Sequence, residues 1–239
     1  MKKLLVIFLV ISILFTFASC GGNETESNIN NNDVVENDDN NQQNQNVGNS
    51  DNAGNKTDLP AELTAEFVRN YPETDASQFT TASIEGGVTI YSYDGSETIV
   101  VVPEEINGEK VIAIDNKAFS MNTEIKAVKI ADTITVIGSQ AFINCKNLEI
   151  VLCGSGLETI EDYAFSNCPA IKYLELNEGL KTINELAISK ASMTELYVPA
   201  SVETINYGIK LSSELKIVCE AGSVAETFAK ENNFIYEIR

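Results

Sequence analysis

Apolar positions along the chain recur with a period of 23. Ile114, Ile137, Ile160, Ile183 and Ile205 are 23, 23, 23 and 22 residues apart. Three further columns keep step: Ile125, Leu148, Ile171, Met193 and Leu215; Val128, Val151, Leu174, Leu196 and Val218; Ile134, Leu157, Leu180, Val202 and Val224. Ala-Phe pairs at 118–119, 141–142 and 164–165 add one bulky group per repeat. A period held over about 110 residues is the mark of stacked repeats, not of any single helix or strand. Within a repeat, Ile125, Val128 and Ile130 show the inward alternation of a short strand. A turn and a short helical return around Ala-Phe then lead to the next strand. The pattern predicts a repeat solenoid of the α/β kind over 79–239, one short strand and one short helical return per coil. A coil alone cannot bury its apolar face, and each large side chain taken fully out of water is worth about 1.5–3 kcal/mol, so stacking stabilises the array and its ends need covers.

Both ends carry such signals. Segments 88–93 and 99–102 flank Asp94-Gly95-Ser96, which reads as a hairpin. Upstream, Asp58 and Pro60 start a short helix carrying Leu63, Phe67 and Val68, so 59–78 reads as a helix and linker. At the other end, Ser223 and Glu226 form a capping box that opens a helix to about Asn232. Phe234, Tyr236 and Ile238 follow as a terminal strand, completing a helix-strand cap.

The motif I-G-x-x-A-F-x-x-C-x-x-L-x-x-V, best kept at 137–151 and 160–174, resembles the BspA-type leucine-rich repeat of bacterial surface proteins. Segment 87–111, with Tyr93, Gly95, Pro103, Ile106 and Gly108, resembles the unit that leads into such arrays. Departures cluster late: Ala187-Ile188 and Gly208-Ile209 replace Ala-Phe, and Leu152-Cys153-Gly154 replaces the apolar-Pro strand exit kept at Val198-Pro199. The resemblance implies a leucine-rich-repeat-like fold and a recognition role at a bacterial surface.

Residues 1–19 read as a secretory signal: Lys2 and Lys3 precede an apolar run from Leu4 to Ala18. Phe17-Ala18-Ser19-Cys20 resembles the lipobox of bacterial lipoproteins, which implies that Cys20 is acylated and becomes the mature N-terminus. Ordinary cleavage that secretes the chain and an uncleaved anchor are the alternatives. The stretch from Gly21 to Asp58 holds 13 Asn, eight acidic residues, one Lys and no aromatic residue. Such a composition does not bury enough apolar surface to offset the entropy of ordering, so 20–58 reads as a disordered tether from a membrane-borne lipid.

The chain has 35 Asp and Glu against 16 Lys and Arg, a formal charge of −19. Nucleic acid is thereby disfavoured as a partner, because its binding rests on cations that displace counterions from phosphates. There is no histidine, which removes Ser-His and Cys-His nucleophile pairs and imidazole metal ligands. Cys145, Cys153, Cys168 and Cys219 lack the paired spacing of a zinc site. Cys145 and Cys168 share a column, as buried thiols or as a disulfide pair, while Cys153 and Cys219 fall in strands in unmatched columns. Acid groups at 104–109 and 158–162 lack the alternation of a calcium loop. No catalytic residue, metal or cofactor is assigned; a carboxylate pair for glycan cleavage remains an alternative that no particular pair of acids supports.

If Val128, Val151, Leu174, Leu196 and Val218 face inward, their neighbours face outward. That face reads Ala127, Lys129, Ile150, Leu152, Tyr173, Glu175, Glu195, Tyr197, Ile217 and Cys219. It is poor in charge for so acidic a chain, which points to a surface meant to be covered. The expected partner is an extracellular protein or a glycan, contacting Ile150, Leu152, Tyr173, Glu175, Tyr197 and Ile217. The N-terminal helix or a second copy of the chain is the competing cover, and a purely structural envelope spacer is the competing function.

Overall fold

The structure, a computed structural model, describes residues 59–239. The expectations for the signal, for Cys20, for the tether and for Asp58 as a helix start lie outside the described residues. Residues 79–239 form a β-solenoid. One sheet starts with the antiparallel pair Phe79–Ile84 and Gly87–Tyr93 and continues in parallel through Glu109–Ile114, Val136–Ile137, Thr159–Ile160, Thr182–Ile183 and Thr204–Ile205. Ile90, Ile114, Ile137, Ile160, Ile183 and Ile205 pair in register along it, which is the column read from the sequence. A second face carries the parallel strands Ile99–Val101, Ala127–Lys129, Ile150–Leu152 and Tyr173–Glu175. Beyond them, Glu195–Tyr197, Lys216–Cys219 and Ile235–Ile238 form a separate parallel group.

The Ala-Phe return is not helical. Around each plug residue the positions two before and two after have left-handed backbones: Lys117 and Met121, Gln140 and Asn144, Tyr163 and Asn167, Leu186 and Lys190. A right-handed helix accommodates no such residue, since each reverses the local path of the chain. The segment instead makes tight turns and sends three backbone bonds to the next coil: in the first return from Lys117 N to Ser139 O, Phe119 N to Ala141 O and Met121 N to Ile143 O, with the same pattern from Gln140, Phe142 and Asn144 and from Tyr163, Phe165 and Asn167. In the later coils it straightens into the short strands Phe165–Ser166, Ile188–Ser189 and Ile209–Lys210.

The plugs stack inside the array. Ring centroids are 5.3 Å apart from Phe79 to Tyr93, 5.2 Å from Tyr93 to Phe119, 4.6 Å from Phe119 to Phe142 and 5.1 Å from Phe142 to Phe165. Ile188 and Ile209 occupy the same column in the last coils and are buried.

Two details of the ends differ from expectation. The hairpin joins Gly87–Tyr93 to Phe79–Ile84, not to 99–102, and Gly86 at φ +92° supplies its turn. Ile99–Val101 opens the second face instead, paired with Ala127–Lys129. In the last coil the register slips by one: Ile217, not Val218, pairs with Leu196 and points inward. Cys219 thereby joins the buried column of Ile130, Cys153, Leu176 and Val198, so Cys153 and Cys219 do share a column. At the C-terminal end helix α2 (Val224–Glu231) takes Ser223 as its N-cap, and the backbone N–H of Glu226 donates to Ser223 Oγ at 3.2 Å. The Glu226 carboxylate turns back to accept from Gly222 N at 2.6 Å.

Candidate functional site

The outward positions of the second face have two fates. Over its first strands lies helix α1 (Ala65–Arg69), which starts at the N-cap Thr64, later in the chain than the Pro60 start. Phe67 N donates to Thr64 Oγ1 at 3.2 Å. Val68 is fully buried against Ile99, Val101, Ala127, Ile150 and Leu152, with Leu63, Phe67 and Tyr71 at the margin. A second, small apolar core thus forms outside the solenoid. Ile150 and Leu152, expected to be exposed partner contacts, are buried beneath this helix. Ile217 is also buried, because the register slip turns it into the main core.

Tyr173, Glu175 and Tyr197 remain at the surface, brought together where the helix ends. Arg69, in the last turn of α1, pairs with Glu175, and Lys129 Nζ donates to Arg69 O at 3.1 Å. The Tyr173 hydroxyl donates to Glu175 Oε2 at 2.9 Å, and the residue is 42% exposed. Tyr197 donates to Glu178 Oε1 at 2.8 Å, while the Arg239 guanidinium lies 5.0 Å from the centre of its ring. Partial burial, then the bond to a carboxylate, pushes both phenol pKa values up. Bonding to Tyr173 and the charge of Glu175 raise that of Arg69. The chain has only two arginines, and both stand at this face.

Between the Tyr173 strand and the Tyr197 strand the ladder is interrupted. Backbone bonds join Cys153 N to Glu175 O on one side and Val198 N to Val218 O on the other, and none joins the two strands among the described residues. The break falls where the turn into the strand is one residue shorter, Ala191 to Met193 standing where the previous coil has Cys168 to Ile171. A slot of about 380 Å³ opens there, bounded by Lys172, Tyr173, Glu175, Glu195, Tyr197 and Arg239. The sequence signal for Tyr173 and Tyr197 was strand alternation. Arg69 and Arg239 had no local signal, since one is placed by a helix far along the chain and the other by the terminal strand. On the opposite sheet the outward rank reads Val136, Thr159, Thr182 and Thr204, without an aromatic ring.

Among the described residues no group of three or more His, Cys, Asp or Glu could hold a metal ion. Cys145, Cys153, Cys168 and Cys219 are free and buried. Cys145 Sγ donates to Phe119 O at 3.1 Å and Cys168 Sγ to Phe142 O at 3.0 Å. Burial lifts the Cys153 thiol to about 12. No described helix is long and apolar enough to cross a membrane.

Residues 100–215 match the family model for a BspA type leucine rich repeat region, in six copies. The repeat array is of the BspA type. It is similar to a leucine rich repeat protein of T. pallidum at 26% identity and a TM-score of 0.57, over 62% of this chain and 71% of that one. It is also similar to a leucine-rich repeat protein from Bacteroides ovatus, at 25% identity and a TM-score of 0.53, over 60% of this chain and 41% of that one. No curated protein matches the chain. The BspA-type array gives the scaffold on which the slot stands.

Proposed function

We propose that this chain is a surface-anchored recognition module: Cys20 carries lipid, 20–58 is a tether, and the BspA-type array presents a binding face to an extracellular protein or glycan. The observation that carries the reading is a contrast along the second face of the solenoid. Its apolar half is covered by α1, whereas an exposed Tyr173 and a half-buried Tyr197 line a slot with Arg239, and Arg69 pairs with the slot residue Glu175. Aromatic residues and arginine are the residue types enriched where binding energy concentrates, because they bring large apolar area together with polar or charged tips. In this reading the function rests on contact, not on bond making.

The test is capture by the full chain, immobilised and exposed to extracellular-matrix proteins and to glycans. The variant carrying Tyr173→Ser and Tyr197→Ser is expected to keep its melting temperature and lose capture. A folded double variant with undiminished capture would overturn the assignment of the face.

A further inference from the structure

The geometry points to a neutral, short-chain glycan as the ligand of the slot between the Tyr173 and Tyr197 strands, an inference that rests on the reading of that face as the recognition surface. Four features of the slot carry it. Its volume, about 380 Å³, is that of a small-molecule site. Its lining charges balance, Lys172 and Arg239 against Glu175 and Glu195, with Lys172 paired to Glu149, Glu175 to Arg69 and Glu195 to Lys216, on a chain whose formal charge is −19. A polyanion meets repulsion from the rest of the surface, and a cation finds no uncompensated acid in the slot.

The groups present also match hydroxyl chemistry. Each sugar hydroxyl both donates and accepts, so it needs acceptors and donors side by side, which a carboxylate beside a guanidinium or ammonium provides. Arg239 makes no ion pair among the described residues; its guanidinium is held over the Tyr197 ring with its N–H groups available. Ladder alternation turns the peptide groups of Leu174 and Leu176 toward the slot, because those of Tyr173 and Glu175 are engaged by the strand on the other side. The two tyrosine rings then offer apolar faces for the C–H side of a pyranose.

An extended peptide is the poorer fit. Cα atoms of the two strands come within 8 Å of each other, whereas inserting a strand needs twice the roughly 4.8 Å interstrand spacing. The break in the ladder is too narrow for a third strand.

Saturation-transfer NMR of the full chain tests this, with maltose, cellobiose, lactose and N,N′-diacetylchitobiose as neutral probes and 3′-sialyllactose as the anionic arm. At least one neutral disaccharide is expected to bind with millimolar Kd. Tyr197→Ala and Arg239→Ala are each expected to weaken it at least about tenfold, and Ile84→Ser, on an exposed strand outside the slot, to leave it unchanged. If Arg239→Ala loses its melting transition, Arg239→Lys replaces it; the planar fork is lost while the charge is kept, and weaker binding is again expected. Absence of binding by every neutral probe, binding of the sialylated sugar alone, or full affinity in both slot variants would overturn the glycan assignment. Protein capture that depends on Tyr173 and Tyr197 without any disaccharide binding would remove the glycan and leave the recognition face standing. Failure of both would remove both.

Discussion

Phe142 lies between Phe119 and Phe165 in a stack whose rings nearly parallel one another, at interplanar angles of 12° and 10°. Removing the middle ring leaves a hole that neither neighbour can fill, since each is held by its own coil. Phe142→Ala is expected to cost about 3–5 kcal/mol, read from the denaturation midpoint; a loss below about 1 kcal/mol, the range of surface substitutions, would contradict the register. Such a plug was legible in the sequence because its column is strictly periodic and apolar. Its backbone was not: Lys117, Gln140, Tyr163 and Leu186 give no compositional sign of the left-handed conformation they adopt, which the bonds between coils impose. Cys153 offers a second check at this scale. Burial raises its folded pKa from 9.0 to about 12, so its share of stability is complete below pH 9.0 and is lost as pH rises toward 12. Cys153→Val is expected to flatten the fall of the melting temperature across that window, and an unchanged slope would contradict the assignment.

Helix α1 is only five residues long, too short to persist alone, so its helical state depends on the apolar strip beneath it. Val68 provides the buried contact and Arg69 the ionic one. These contributions are unequal: burying a valine is worth about 1.5–3 kcal/mol, whereas an exposed ion pair is worth about 0–1 kcal/mol. Val68→Ser is therefore expected to expose Ala127, Ile150 and Leu152, seen as new binding of a hydrophobic dye. Arg69→Ala is expected to leave dye binding and melting almost unchanged. The reverse order would show that charge, not apolar contact, holds the helix. Strand alternation correctly placed Ile150 and Leu152 on the outer face, yet it carries no information about what covers that face. The slip at Ile217 was equally hidden, because one residue fewer before the strand changes neither its composition nor its alternation, only which alternate set points inward.

Over the described residues the molecule joins an acidic scaffold to one small region of mixed chemistry. Of the acidic and basic residues in 59–239, 27 are acidic and 13 basic, and seven salt bridges engage some of them at the surface. Only near the slot do both arginines and two outward tyrosines meet. Under the proposed anchoring, wild-type chain expressed in a bacterium partitions into detergent and the Cys20→Ala variant does not; a processed, detergent-phase variant would remove the lipid from the proposal. The most direct measurement is hydrogen–deuterium exchange of the full chain with and without its captured ligand. Slower exchange confined to the strands Tyr173–Glu175 and Glu195–Tyr197 is the expected result, and protection confined to the Thr159, Thr182 and Thr204 face, with those strands unchanged, would contradict the recognition site.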